Sequence, residues 1–83
     1  MKTEFITFRS VTPAQRGQRV LQKAGIDAAL QRTPRWMEER GCGYCLRLRP
    51  GDLVRAVELL RRENVAFSKV YGTVGGNLEE RML

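Results

Sequence analysis

Residues 44–60 have the sequence YCLRLRPGDLVRAVELL. In residues 44–49 every second side chain is apolar or aromatic, which predicts a β-strand with one buried face. Pro50-Gly51 then interrupts the pattern, because this dipeptide favours a turn. In residues 53–60 apolar side chains recur at intervals of three and four, which predicts an amphipathic helix that begins after Asp52. A strand, a tight turn and a helix thus follow one another in the middle of the chain.

The same reasoning extends in both directions. It predicts a strand at residues 5–8, a helix from Thr12-Pro13 to Gly25, a strand at 28–32 and a last strand at 65–72. The order βαββαβ is typical of an α+β, ferredoxin-like fold with a four-stranded antiparallel sheet in the order 4-1-3-2. Both helices would cover one face of the sheet and leave the other open. We expect residues 1–74 to form this single domain and residues 75–83 to form a C-terminal tail, either a short helix or a loose segment.

The composition is basic and lacks histidine. The 83 residues include 15 Lys and Arg against 9 Asp and Glu, for a net charge of +6. Nucleic acid, an acidic protein or a small anion are therefore possible partners, although a merely solvated surface explains the charge equally well. The absence of histidine removes the commonest general base and the Ser-His and Cys-His pairs of nucleophilic catalysis.

The N-terminal residues do not have the pattern of a signal peptide, and no apolar stretch is long enough to cross a membrane. We therefore expect a cytoplasmic protein with no membrane association. Thiols are kept reduced in that compartment, so the two cysteines are reactive, metal-binding or simply buried rather than a structural disulfide.

Both cysteines lie in Gly41-Cys42-Gly43-Tyr44-Cys45, a C-x-x-C motif that precedes a strand. In thioredoxin-like proteins the motif begins a helix instead, so this context disfavours that fold. A disulfide requires a tight turn at Gly43-Tyr44, which glycine permits but does not impose. Structural zinc needs four ligands, and two thiols without histidine do not supply them, so we expect no metal and no cofactor.

Cys42 is the stronger candidate for a functional thiol. Flanking Gly41 and Gly43 leave its sulfur uncrowded and allow backbone N–H groups to face an anion. The fold would place it near Arg9 and the first helix's N-terminus, with Arg35 and Arg40 from the preceding connector, and these positive groups stabilise a thiolate. The alternative is that the glycines only form a tight entry to the strand.

Cys45 and Arg47 would lie on the open face of the sheet. Cys45 is then either a small apolar side chain beneath a dimer contact or a resolving thiol for Cys42. A basic open face with Phe5 is compatible with RNA binding, but this strand lacks the aromatic pattern of RNA-recognition modules. Nucleic acid is therefore an unlikely partner, and we expect a homodimer through this face.

Four segments resemble the Se/S carrier-like protein family across roughly residues 4–72. They are Ala24-Gly25-Ile26, Thr33-Pro34-Arg35, Gly41-Cys42-Gly43-x-x-Leu46-Arg47 and Asp52-Leu53-x-x-Ala56-Val57-x-Leu59-Leu60. The resemblance implies a non-enzymatic carrier whose Cys42 holds sulfur or selenium as a persulfide or a selenium adduct. An acidic donor or acceptor protein of sulfur or selenium metabolism would be its partner. The alternatives are a dimeric adaptor with inert thiols and a basic nucleic-acid-binding module.

Overall fold

The structure, a computed structural model, describes residues 4–33, 43–74 and 77–81. Its elements follow the order β1 (Glu4–Phe8), α1 (Val11–Lys23), β2 (Ala28–Arg32), β3 (Tyr44–Leu48), α2 (Leu53–Arg62), β4 (Val70–Val74) and β5 (Asn77–Glu80). The strands form a five-stranded sheet in the order β2-β3-β1-β4-β5, and every pair in it is antiparallel. The predicted α+β class, with two helices and an antiparallel sheet, is confirmed.

The C-terminal segment differs from the prediction. The first four strands have the order predicted from the sequence, but residues 77–80 form β5 rather than a helix or a loose tail. Glu80 lies opposite Tyr71 in this pairing, and the Arg81 N–H donates to the Val70 carbonyl at 2.6 Å. The sheet therefore has five strands where the ferredoxin-like expectation had four, because the free edge of β4 supplies backbone partners to a polar segment.

The last predicted strand also begins later than expected, at Val70 rather than Val65. Opposite Thr7, the Ser68 N–H donates to the Thr7 carbonyl at 2.7 Å and the Thr7 N–H donates to the Lys69 carbonyl at 2.8 Å. The Lys69 N–H donates to the Thr7 hydroxyl at 2.9 Å. Ser68 and Lys69 thus lie opposite the single residue Thr7, which is a β-bulge. The Thr7 hydroxyl accepts the hydrogen bond of the Lys69 N–H, which the bulge leaves without a backbone partner.

Both helices pack on one core with the strands. The predicted buried stripe of α2 is confirmed, since Leu53, Ala56, Val57 and Leu60 are all buried. In α1, Gly17 permits a close approach: a Cβ at this position would lie 3.1 Å from Cζ of Phe8 and 3.3 Å from Cδ2 of Leu60. The core cluster consists of Ile6, Phe8, Ala14, Leu21, Ile26, Ala28, Leu46, Leu48, Leu53, Ala56, Val57, Leu60, Val65 and Val70.

The first helix begins one residue before the predicted cap. Ser10 is the N-cap residue, with extended backbone angles, and Val11 is the first helical residue. Pro13 therefore lies third in the helix, where its missing N–H still costs no intrahelical hydrogen bond. Gly25 follows the helix at φ +80°, as expected of the residue after a helix C-terminus.

Side chains from other elements satisfy the helix ends. The Glu4 carboxylate of β1 accepts hydrogen bonds from the N–H groups of Gly51 and Leu53, at 3.0 and 3.2 Å, at the start of α2. At the same end of the sheet, Arg55 in the first turn of α2 donates to the carbonyl of Ala24, the C-cap residue of α1, at 2.9 Å. These contacts place charges that complement the helix dipoles and fix the helices relative to the sheet.

The second face of the sheet is less open than predicted. Phe5 and Tyr71 are each only 9% exposed, Cys45 is fully buried, and the three form a second apolar cluster. Arg47, on the same face, is exposed as expected. The expectation that Phe5 and Cys45 lie bare on this face is therefore wrong, because a single chain already shields them. The homodimer itself stays a prediction.

Candidate functional site

Cys42 and three of its predicted neighbours, Gly41, Arg35 and Arg40, lie outside the described residues. The chain that leads to them is described on both sides. Thr33 follows β2, Gly43 precedes β3, and the Thr33 N–H donates to the Gly43 carbonyl at 3.0 Å. This hydrogen bond extends the β2–β3 pairing by one position, so residues 34–42 connect two points that are adjacent in the sheet.

The N-terminus of α1 lies at the same edge. Phe8, the last residue of β1, is directly opposite Tyr44, the first residue of β3. Arg9 follows and is exposed, and Ser10 then begins the helix. No acidic residue occupies the first turn, and the Ser10 side chain makes no capping hydrogen bond with the described residues. The positive end of the helix dipole and an arginine therefore lie beside the point where Gly43 enters the sheet.

The C-terminus of α2 lies at this end too, and its dipole has the opposite sign. Arg16, in the second turn of α1, donates from its guanidinium to the Glu63 carbonyl at 2.9 Å. Arg61 and Arg62 occupy the last turn of α2. Cations near the last carbonyls offset the negative end of a helix. The destabilising effect of α2 on a nearby anion is accordingly reduced.

Cys45 has a different environment. In the middle of β3 it is directly opposite Thr7 of β1 and Gln31 of β2, and no part of it is exposed. Burial raises the pKa of its thiol, and the side chains of Gln31 and Thr33 and the charge of Arg47 oppose that rise only in part. A buried thiol that stays protonated is a poor nucleophile.

Thr33 contributes a polar atom to this region that sequence reasoning missed. Its Oγ1 is buried and has no well-formed hydrogen bond to any described residue, although it lies close enough to Cys45 to lower the pKa of that thiol. In the sequence Thr33-Pro34 was evident only as the end of a strand. Arg16 was also missed, since a helical arginine on an exposed face does not show which carbonyl it will contact.

Two basic residues at the end of β3 and beyond it, Arg47 and Arg49, have separate surroundings. Arg47 is exposed and close enough to lower the pKa of Cys45. Arg49 lies past the far end of β3, where its guanidinium is 3.3 Å from the Asp27 carboxylate. The aromatic rings of this face, Phe5 and Tyr71, are buried. A stacking platform for bases is therefore not present on the described part of this face.

Two other kinds of site are absent from the part of the chain that the structure describes. Within residues 4–33, 43–74 and 77–81, no group of three or more His, Cys, Asp or Glu side chains is arranged to hold a metal ion. In the same residues, neither helix is long and apolar enough to span a bilayer.

The described residues define a small α+β protein with one buried thiol, Cys45, in a sheet that has Arg9 and the N-terminus of α1 at the end where β3 begins. Residues 4–72 match the family model described as "Putative Se/S carrier protein-like". The match covers most of the chain, and the protein belongs to this family. No curated protein and no solved structure matches the chain.

Proposed function

We propose that the protein is a non-enzymatic carrier that accepts sulfur or selenium on Cys42 and passes it to an acceptor. Its family is described as carrier-like, and the family match includes Cys42. The observation that supports the proposal is electrostatic: Arg9 and the N-terminus of α1 follow Phe8, and Phe8 lies directly opposite Tyr44, two positions after Cys42 in the sequence. The Ser10 side chain makes no capping hydrogen bond with the described residues. Such surroundings lower a thiol pKa and increase the thiolate fraction at neutral pH.

The transfer is balanced without an external oxidant. The Cys42 thiolate attacks the outer sulfur of a donor persulfide, R–S–SH, so that a new S–S bond forms on Cys42 while the donor S–S bond breaks. The donor leaves as a thiol or thiolate, and Cys42 becomes a persulfide. An acceptor nucleophile then removes the outer sulfur and restores the Cys42 thiolate. A donor with selenium in the outer position gives a selenium adduct by the same substitution.

The test is persulfide loading followed by mass spectrometry of the intact protein. Glutathione persulfide is the sulfur donor, and the variants are Cys42→Ser and Cys45→Ser. We expect wild type and Cys45→Ser to gain the mass of one sulfur atom, and dithiothreitol to reverse the gain. Cys42→Ser should gain none while folded. Equal loading of Cys42→Ser and wild type would refute the assignment of the carrier thiol.

The electrostatic argument has its own measurement. In the Cys45→Ser background, the rate of Cys42 alkylation by iodoacetamide against pH gives the pKa of that thiol. Arg9→Gln should shift this profile to higher pH, because it removes a positive charge near the thiolate. Arg47→Gln is the matched control, since this exposed arginine is the fourth residue of β3 and lies further from the start of the strand. Equal shifts in the two variants, or none in Arg9→Gln, would remove the physical basis of the proposal.

A carrier of this kind works where thiols are kept reduced, which agrees with the cytoplasmic location that we predict. Nucleic-acid binding is the weaker alternative, because Phe5 and Tyr71 are buried and Arg49 is paired with Asp27.

A further inference from the structure

The two helices form a groove on the side of the protein away from the sheet. It encloses about 640 Å³ and is lined by Thr12, Arg16, Arg19, Val20, Lys23, Ala24, Leu59 and Glu63. Val20, Ala24 and Leu59 are half-buried and contribute apolar surface to it, while the cations along its wall are exposed. The groove is therefore amphipathic, with apolar surface between the helices and a charged border.

The charge of this border comes from α1. Arg16, Arg19 and Lys23 follow one another at three- and four-residue spacing, so they lie on one face of the helix. α1 contains no acidic residue along its 13 positions. Arg19 and Lys23 make no ion pair with another described residue, and Glu63 is the one acidic residue among the described residues that line the groove. Like charges at this spacing repel one another, which costs helix stability unless a partner neutralises them.

We propose that this groove is a docking surface for an acidic, amphipathic segment of a partner protein. Apolar side chains of the segment would contact Val20 and Leu59, and its carboxylates would face Arg19 and Lys23. A nucleic acid fits less well, because none of the described residues that line the groove is aromatic and could stack on a base. Recognition of a helix in a groove commonly combines apolar anchors with charge complementarity at the border.

The position of the groove would also orient a bound partner relative to the carrier. Thr12 and Arg16 are in the first two turns of α1, so one end of the groove is at the sheet edge that leads to Cys42. A segment bound along α1 would bring the rest of the partner to that edge. The identity of the partner as a sulfur or selenium donor rests on the proposed function, whereas the binding of an acidic segment does not.

The test uses a fluorescein-labelled peptide of about four helical turns with leucine on one face and glutamate on the other. Fluorescence anisotropy is measured at about 50 mM and about 200 mM NaCl. We expect saturable binding that weakens with salt, and a loss of about tenfold or more in Arg19→Glu/Lys23→Glu. A peptide with lysine in place of glutamate should bind this double variant better than wild type. The matched control reverses two exposed cations outside the groove, Arg49→Glu/Arg62→Glu, and should change affinity by less than about threefold.

Several outcomes overturn the proposal. They are no binding of the leucine–glutamate peptide, an equal loss in the control variant, and equal binding of a peptide with serine in place of leucine. Tighter binding of single-stranded RNA to wild type, lost in Arg19→Glu/Lys23→Glu, would assign the groove to nucleic acid instead. Every measurement is repeated with Cys42→Ser. Binding that persists there while persulfide loading fails separates the docking surface from the carrier chemistry.

Discussion

The burial of Cys45 predicts how slowly this thiol reacts in the folded protein. The perturbation is Cys42→Ser, which leaves Cys45 as the one thiol of the chain. Cys45 has no exposed surface and lies in β3 between two neighbouring strands. A reagent can reach its sulfur only when the sheet opens, so the reaction rate reports the free energy of that opening.

The expected protection follows from the size of the domain. A stability of roughly 0.05–0.15 kcal/mol per residue gives about 4–12 kcal/mol for a chain of 83 residues. If exposure of Cys45 needs an opening at the low end of this range, about 4 kcal/mol, the rate falls nearly a thousandfold below that of an unfolded chain. The raised pKa of Cys45 also slows the reaction, because it lowers the fraction of this thiol that is present as thiolate.

The assay is the absorbance change on reaction with dithionitrobenzoate under native conditions. The same variant in denaturing urea supplies the unprotected rate, and folded Cys45→Ser supplies the rate of Cys42. We expect Cys45 to react at least about a hundredfold more slowly in the folded than in the unfolded chain. A native rate within about tenfold of the unfolded rate would show that Cys45 is accessible, and the assignment of different roles to the two thiols would fail.

The raised pKa of Cys45 also predicts that the folded protein loses stability at high pH. Because the pKa of Cys45 is higher in the folded than in the unfolded protein, the unfolded chain loses its proton first as pH rises. Stability is thus unaffected below about pH 8.5 and decreases above it, by at most about 1.4 kcal/mol per pH unit. Urea unfolding of Cys42→Ser and Cys42→Ser/Cys45→Ser at about pH 7.5 and about pH 10 isolates this effect. An equal decrease in both variants would contradict it.

Three further outcomes are expected. Glu4→Gln should lower the free energy of unfolding by about 0.5–1.5 kcal/mol in urea titrations, because Glu4 accepts hydrogen bonds from the amides of Gly51 and Leu53. The control is Glu58→Gln, since Glu58 is exposed, and an equal change in that variant would contradict the capping role of Glu4. If the chain dimerises through the sheet face, light scattering should show a larger monomer fraction for Arg47→Glu than for wild type. RNA binding should be weak and should lose affinity steeply with salt, so a sequence preference that survives about 200 mM salt would count against the proposed function.

Local patterns in the sequence predict the helices and strands that have a regular spacing of apolar side chains. The apolar spacing in residues 53–60 identifies α2, and the alternation in residues 44–49 identifies β3. The strand β5 could not be found in this way, since Asn77–Glu80 is polar and pairs through its backbone with β4. The late start of β4 has a similar cause: the bulge depends on the Thr7 hydroxyl, a contact across 62 positions of the chain.

The candidate site also has some features that could be predicted from the sequence and others that could not. The meeting of the end of β1, the end of α2 and the start of β3 follows from element order, so Arg9 and the start of α1 could be placed from the sequence. The burial of Cys45 could not, because strand alternation gives the face on which a side chain lies but not what covers that face. The hydrogen bond from Arg16 to the Glu63 carbonyl was equally hidden, since it depends on how the two helices are set side by side.

The burial of Cys45 bears directly on how a carrier of the proposed kind would keep its sulfur. If Cys45 were exposed, it could attack the inner sulfur of a Cys42 persulfide; a disulfide between the two cysteines would form and the outer sulfur would leave as hydrogen sulfide. That reaction needs a thiolate and access, and the burial and raised pKa of Cys45 limit both. Under the proposed function, a loaded carrier would therefore pass its sulfur to an external acceptor rather than lose it as hydrogen sulfide. The C-x-x-C spacing, which alone would indicate a redox pair, is in this fold compatible with one reactive and one protected cysteine.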